Sequence, residues 1–240
     1  MHLKAKRKHI LFALLEDLVN SDQIDDYEKS FSWKRLENQQ GLIQQFPDLA
    51  KGDVTSAAVF DWQTIEAKII AREQGVVAGI DIVRNVFFLL DPQIQIKVLV
   101  QAGDQVKENQ RIFSIQGPIN SILMAERTTL NYLCHLSGIA TTARKFSKLV
   151  QGTKAKILDT RKTMPGLRYF EKEAVLAGGG QNHRFGLWDM VLIKNNHVDA
   201  AGGIAQAVNK ARDCWGKKFK IEVETRNLVE VQAAIDSQVD

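Results

Sequence analysis

Cysteine is scarce in this 240-residue chain: Cys134 and Cys214 stand far apart, outside any Cys-x-x-Cys spacing. That argues against a disulfide framework or a cysteine zinc site, and it fits a reducing cytoplasm. Long apolar runs are missing too. None approaches the roughly 18 residues a membrane helix needs, so no membrane partner is expected. The opening "MHLKAKRKHILFALLEDL" has a basic head, but Glu16 and Asp17 interrupt it where a signal peptide would stay apolar. Internal repeats and low-complexity tracts are absent. So is a basic stripe with interleaved aromatics, which leaves nucleic acid without support as a partner. Neither a P-loop Lys-Ser/Thr nor a GxGxxG fingerprint occurs. What remains is ordinary globular composition, 45% hydrophobic and 25% charged, enough for one large domain or two modest ones. The net charge of +4 and pI of about 9.0 suit anionic small molecules as well as nucleic acid.

Leu11, Leu14, Leu15 and Leu18 recur at helical spacing and predict an amphipathic first helix, with the basic cluster at 4–8 on a solvated face. Residues 20–51 are polar and aperiodic apart from a helical patch near Trp33 to Leu42, and read as an insertion or long connection. The segments 66–80 and 94–117 read as antiparallel strands with a turn at Gly103-Asp104. A helix is expected over 122–136, with Ser121 as N-cap and Ser137-Gly138 as its break, and a second over about 141–149. After Gly152 the pattern becomes strand, loop, helix: "AKILDT" (155–160) with a helix near 168–177, "DMVLIKNN" (189–196) with one near 202–213, and "FKIEVET" (219–225) with "NLVEVQAAI". Such succession predicts parallel βα units. The fold class is therefore α/β.

Polar groups collect where each of these strands ends: Asp159, Thr160, Arg161 and Lys162, then Lys194, Asn195 and Asn196, then Glu222 and Glu224. In α/β proteins that end carries the chemistry. The loop "GGGQNHR" adds His183 and Arg184. Arginine forks grip carboxylates and phosphates at two points, and lysine adds point charge. Strand alternation puts Glu222 and Glu224 on one face. A carboxylate in a cationic bowl suggests magnesium or stabilisation of a transient cation. Taken singly, Arg161, Lys162 and Lys194 read as surface charges, His183 and His197 as structural histidines, and Gly178–Gly180 as a flexible loop. Their coincidence at three successive strand ends favours a polyanion pocket.

"GDVTS", "GPINSILMAERTTLNYLCHLSGIAT", "ILDTRKTMPGLR", "GGGQNHRFGLWDMVLIKNNH" and "IEVET" closely resemble the quinolinate phosphoribosyltransferase family, from about Gly52 to Asp240. The resemblance implies an N-terminal α/β sandwich over 1–118 and an α/β barrel of the type II phosphoribosyltransferase kind over 119–240, incomplete at its C-terminal end. It implies transfer of phosphoribosyl from phosphoribosyl pyrophosphate to quinolinate, giving nicotinate mononucleotide, pyrophosphate and carbon dioxide in de novo NAD synthesis, with Mg2+. Carried over by motif, the substrate-binding residues are Arg127, Thr160, Arg161, Lys162, His183, Arg184, Lys194 and Glu224. Glu224, Lys162 and Lys194 are the catalytic candidates, and Glu224 is the candidate metal ligand. Arg127, otherwise a solvated helix residue beside Glu126, would reach the neighbouring subunit's site in a homodimer.

Three departures stand out. Asn195 occupies the place of the family's Asp, residues 20–51 exceed the family's short link, and the family's later strands do not follow Asp240. Three βα units cannot close a barrel, so an unpaired edge and an uncovered apolar face are expected, in either a fragment or a truncated homologue. The alternatives are a phosphoribosyltransferase for another pyridine acid and an inactive or regulatory homologue that only binds. A third, from the likeness of "AGDQVKENQRIFSIQG" to biotinyl or lipoyl modules, lacks the lysine such modules modify.

Overall fold

In the computed structural model, which describes residues 3–240, the chain forms two compact units. The first takes everything up to Asp159 together with Thr163–Asn182, and the second takes Thr160–Lys162 with His183–Asp240.

The first unit begins as the leucine spacing requires. Helix α1 (Leu3–Leu18) buries Leu11, Leu14 and Leu15 completely, and each such side chain is worth about 1.5–3 kcal/mol of transfer free energy. Residues 20–51 do more than connect. They form α2 (Ser21–Ser30), α3 (Trp33–Glu37), α4 (Leu42–Gln45) and a 3-10 turn at Pro47–Lys51, and they bury Ile24, Phe31, Leu36, Leu42 and Leu49 in the main core. These helices are short, and side chains hold the starts of α3 and α4: Ser32 Oγ accepts from Arg35 N–H, and Gln44 Oε1 accepts from Gly41 N–H. A period scan over a long window misses such pieces.

Helix α5 (Val54–Val59) precedes β1 (Thr64–Ile70), β2 (Gly75–Val76), α6 (Ile80–Leu90), β3 (Gln95–Val98), β4 (Gln105–Val106) and β5 (Arg111–Pro118). The strands are antiparallel as expected, β5 lying between β1 and β3, with β2 paired to β4. Gly103 makes the turn at φ +92. Next comes α7 (Ile119–Leu149), one helix of 31 residues where two were expected. The small polar residues do not break it, because they serve β2 and the residues beyond. Thr141 Oγ1 accepts from Val76 N–H at 2.8 Å, and Ser137 Oγ from Ala78 N–H at 3.1 Å. One glycine costs a helix about 1 kcal/mol, too little to interrupt one packed along its length. Ser121 is not the N-cap. It is fully buried, and its hydroxyl donates to Asp91.

Helix α7 packs on α6 and on α8 (Arg168–Ala177), which is why the compact units do not divide at 118/119. Gly178 is no flexible loop either. A Cβ there would stand 2.4 Å from Ala140 O, and Arg144 Nε donates to Gly178 O at 2.9 Å. "AKILDT" does not form a strand. Among the described residues its ladder is a single parallel bridge, Leu158 to Gln181, with Asp159 N–H donating to Gln181 O and Gln181 N–H to Ile157 O.

The second unit holds β6 (Val191–Ile193), α9 (Asn195–Ala201), α10 (Ile204–Trp215), β7 (Ile221–Val223) and α11 (Leu228–Asp236). Strands β6 and β7 are parallel, Leu192 opposite Glu222, as the βα reading requires. Its core is small: Ile193, Val198, Ile204, Ala207, Val208, Ile221 and Ala234. On α11, Leu228 and Val229 are 85% and 79% exposed.

Candidate active site

All the candidate residues except Arg127 lie in the second unit. Two parallel strands place their C-terminal ends side by side. The ladder continues one step past β7, with Glu224 N–H donating to Ile193 O at 2.9 Å, so Lys194 and Glu224 become neighbours. Lys194 Nζ lies 3.2 Å from Glu224 Oε1, both side chains about half exposed. Two residues back on the same face, Glu222 Oε2 lies 2.8 Å from His183 Nε2. The site is thus a pair of pairs, Glu222 of β7 joined to His183 and Glu224 just past it joined to Lys194. Half-exposed pairs add roughly 0–1 kcal/mol to stability, so these earn their interest by orientation.

Arg184 is buried, and its Nη1 donates to Met190 O at 3.4 Å. Arg161 is half-buried, with Nε buried and without a hydrogen-bond partner. An orphaned donor of that kind costs about 1–3 kcal/mol, which an anion would recover. Thr160 Oγ1 accepts from Lys162 N–H at 3.0 Å and turns the chain there, leaving Lys162 exposed. His197 is structural, since its Nδ1 accepts from Lys194 N–H at 2.9 Å at the start of α9. Asn195 Oδ1 is buried without a partner. Nearby, Arg226 holds both Asp199 and Glu230, which keeps the Arg226 guanidinium above its usual range and the Glu230 carboxyl below its own. In the first unit, Arg127 is exposed on α7 and makes no ion pair among the described residues.

As a metal site the donor set is thin. No three His, Cys, Asp or Glu converge among the described residues. A lone carboxylate such as Glu224 fits magnesium only in the mode where the ion keeps its waters and takes its remaining ligands from substrate phosphates.

Sequence reasoning named Asp159 only as one of the polar groups at a strand end, and it missed two polar residues bonded to it, Lys172 and Asn182. Lys172, completely buried on α8, pairs with Asp159, the residue before Thr160. Asn182, the residue before His183, donates its amide to Asp159 Oδ2 at 2.7 Å and to Lys172 O at 2.9 Å, in the amide orientation that satisfies both ends. A buried lysine inside an amphipathic helix has no periodic signature. The position of Asp159 and Asn182 directly before the two cationic segments was the available signal.

Fold and site define a class: an α/β protein in which two parallel strands end beside two cation–glutamate pairs, His183–Glu222 and Lys194–Glu224. Residues 53–137 match the quinolinate phosphoribosyl transferase N-terminal domain, and residues 139–240 match the C-terminal domain. Over 193 residues the chain is 42% identical to a Bacillus subtilis protein named "Probable nicotinate-nucleotide pyrophosphorylase [carboxylating]", covering 80% of this chain and 67% of that one. Over 191 residues it is 42% identical to "Quinolinate phosphoribosyltransferase [decarboxylating] 1b" of Nicotiana tabacum, covering 77% of this chain and 53% of that one. The solved nicotinate-nucleotide pyrophosphorylase of Francisella tularensis superposes with a TM-score of 0.76 at 42% identity, covering 86% of this chain and 71% of that chain. The chain belongs to the quinolinate phosphoribosyltransferase family. It spans between about half and two thirds of the length of these curated relatives.

Proposed function

We propose that this chain carries the quinolinate and phosphoribosyl pyrophosphate site of a carboxylating nicotinate-nucleotide pyrophosphorylase. The observation that carries the reading is the buried Arg161 Nε, without a hydrogen-bond partner among the described residues, in a unit that also holds Arg184, Lys162 and the pairs His183–Glu222 and Lys194–Glu224. Quinolinate brings two adjacent carboxylates, which Arg161, His183 and Arg184 can bind with charge-assisted hydrogen bonds. Lys162 and Lys194 suit the pyrophosphate. Holding the pyridine nitrogen against the ribosyl carbon is a proximity effect. As the carbon–pyrophosphate bond breaks, positive charge grows on the ribosyl centre and Glu224 stabilises it. Loss of the ring carboxylate as carbon dioxide leaves an electron pair on carbon, which takes up a proton, and the same cations ease that charge. Magnesium, if held, would enter with the pyrophosphate and neutralise its charge, with Glu224 as the chain's own ligand.

The reading includes a homodimer in which Arg127, exposed and without an ion pair among the described residues, completes the neighbouring site. A cytoplasmic setting fits the two unpaired, exposed cysteines and the lack of any described helix long and apolar enough to cross a membrane. The test is to supply quinolinate, phosphoribosyl pyrophosphate and magnesium and to follow carbon dioxide and nicotinate mononucleotide. Formation of both is expected. Quinolinate binding with no product would sink the enzyme reading and leave a binding homologue. Turnover of nicotinate in place of quinolinate would reassign the substrate.

A further inference from the structure

We propose that Asp159, Lys172 and Asn182 are positioning residues, a buried node that sets where the two cationic segments, 160–162 and 183–184, leave the first unit. The inference rests on the assignment of those segments to substrate binding.

The three residues lie within the first unit, and each cationic segment follows the node in the chain without a spacer. Asp159 is followed by Thr160-Arg161-Lys162, and Asn182 by His183-Arg184. The backbone is fixed at the same places. Asp159 N–H donates to Gln181 O at 3.1 Å, and Gln181 N–H donates to Ile157 O at 2.8 Å. Side chains then lock the bridge: Lys172 Nζ on Asp159 Oδ1, and the Asn182 amide on Asp159 Oδ2 and Lys172 O. One carboxylate and one ammonium, both out of water, thus join two chain segments to one helix.

The residue beside Lys172 does the complementary task. Glu171, also buried, accepts from Met164 N–H at 3.3 Å and lies 2.8 Å from His135 Nε2 on α7. Arg168 Nε donates to Thr163 Oγ1 at 3.3 Å. Helix α8 therefore holds the chain immediately before and immediately after 160–162. Stability alone is a poor reason for such a node. A buried ion pair can often be replaced by apolar groups of similar volume without loss, because desolvation offsets the attraction. Fixed geometry is what the apolar replacement cannot supply, and misplacement by about 1 Å can cost a site on the order of a hundredfold.

The experiment uses the full chain with two variants, Asn182→Ala and the paired Asp159→Leu/Lys172→Met, which leaves no orphaned charge. Three quantities are read: the melting temperature, the KM values for quinolinate and phosphoribosyl pyrophosphate, and amide exchange in peptides spanning 157–164 and 181–187. The expected result is a quinolinate KM raised about tenfold, a phosphoribosyl pyrophosphate KM within about twofold, and little loss of melting temperature in the paired variant. Exchange should quicken in both peptides while β6 and β7 stay unchanged. Unaltered exchange with unaltered quinolinate KM overturns the inference. So does a fall in melting temperature with both KM values moving together, which marks a purely structural pair. Should the unmodified chain bind no quinolinate, the functional assignment fails, and the exchange pattern alone then upholds or overturns the node. If Asn182→Ala fails to fold, the paired variant decides by the same criteria.

Discussion

The two units solve opposite problems. The first buries large side chains, Phe87, Phe113 and Phe170 among them, and uses its polar groups for internal bonds, as with Asp91 accepting from Gln44 and Ser121. The second has a core of seven buried residues, mostly small or branched, and its polar groups stand in half-exposed pairs at strand ends. Satisfied buried groups rigidify a scaffold. Half-exposed pairs can exchange partners when a ligand arrives, because little free energy holds them. Stability and recognition are thus carried by different residues, and they should respond differently to mutation.

The hardest test of that division is Phe113→Ala in the first unit. Phe113 is fully buried in β5, and its loss should cost about 3–5 kcal/mol, seen as a lowered denaturant midpoint. Glu224→Gln comes next. It should lower kcat about a hundredfold or more, the order seen when one preorganised charge stabiliser is removed, with the denaturation midpoint unmoved. A midpoint that fell as far as that of Phe113→Ala would break the comparison. Arg161→Ala and Arg184→Ala should each weaken quinolinate binding about tenfold to a hundredfold by titration, since a hydrogen bond to a charged group is worth about 1.5–3 kcal/mol. Unchanged affinity in both would leave the quinolinate assignment without support.

The smallest effect is a pH-dependent one. Asp53 caps α5, accepting from Thr55 and Ser56 N–H, and these bonds with the Ser56 hydroxyl hold its carboxyl below the ordinary 3.8. A carboxyl lowered on folding stabilises above its unfolded value, and that stabilisation disappears as pH falls through the lowered one. Asp53→Ala should therefore cost about 1 kcal/mol at neutral pH, and the gap from the unmodified chain should narrow in unfolding curves taken below pH 3.8. His9 works with the same sign. Burial lowers it from 6.5, so its contribution also weakens as pH falls below that value.

Much of this was legible in the sequence wherever one physical signal dominated. The leucine period gave α1, the turn at Gly103 gave the antiparallel strands, and the βα rhythm gave β6 and β7. The cations and glutamates of the second unit were found because strand ends are where polar groups have no packing reason to gather. The misses have a common cause, interactions distant in sequence. Ser137 and Gly138 look like a helix break until Ala78 is known to sit against Ser137. "AKILDT" looks like a strand, yet among the described residues its ladder partner is Gln181 alone. Lys172 looks like a solvated helix residue until Asp159 faces it.

The chain passes between the units three times, after Asp159, after Lys162 and after Asn182. During synthesis, the first 159 residues would wait with the α8 side of α7 bare, since Phe170 and Ala174 have not yet been made. The first unit can finish only once residue 182 has emerged, and by then the cationic segment 160–162 is already looped out between its two moorings on α8. Nascent chains shorter than this should be chaperone clients, and no single cut will release either unit whole.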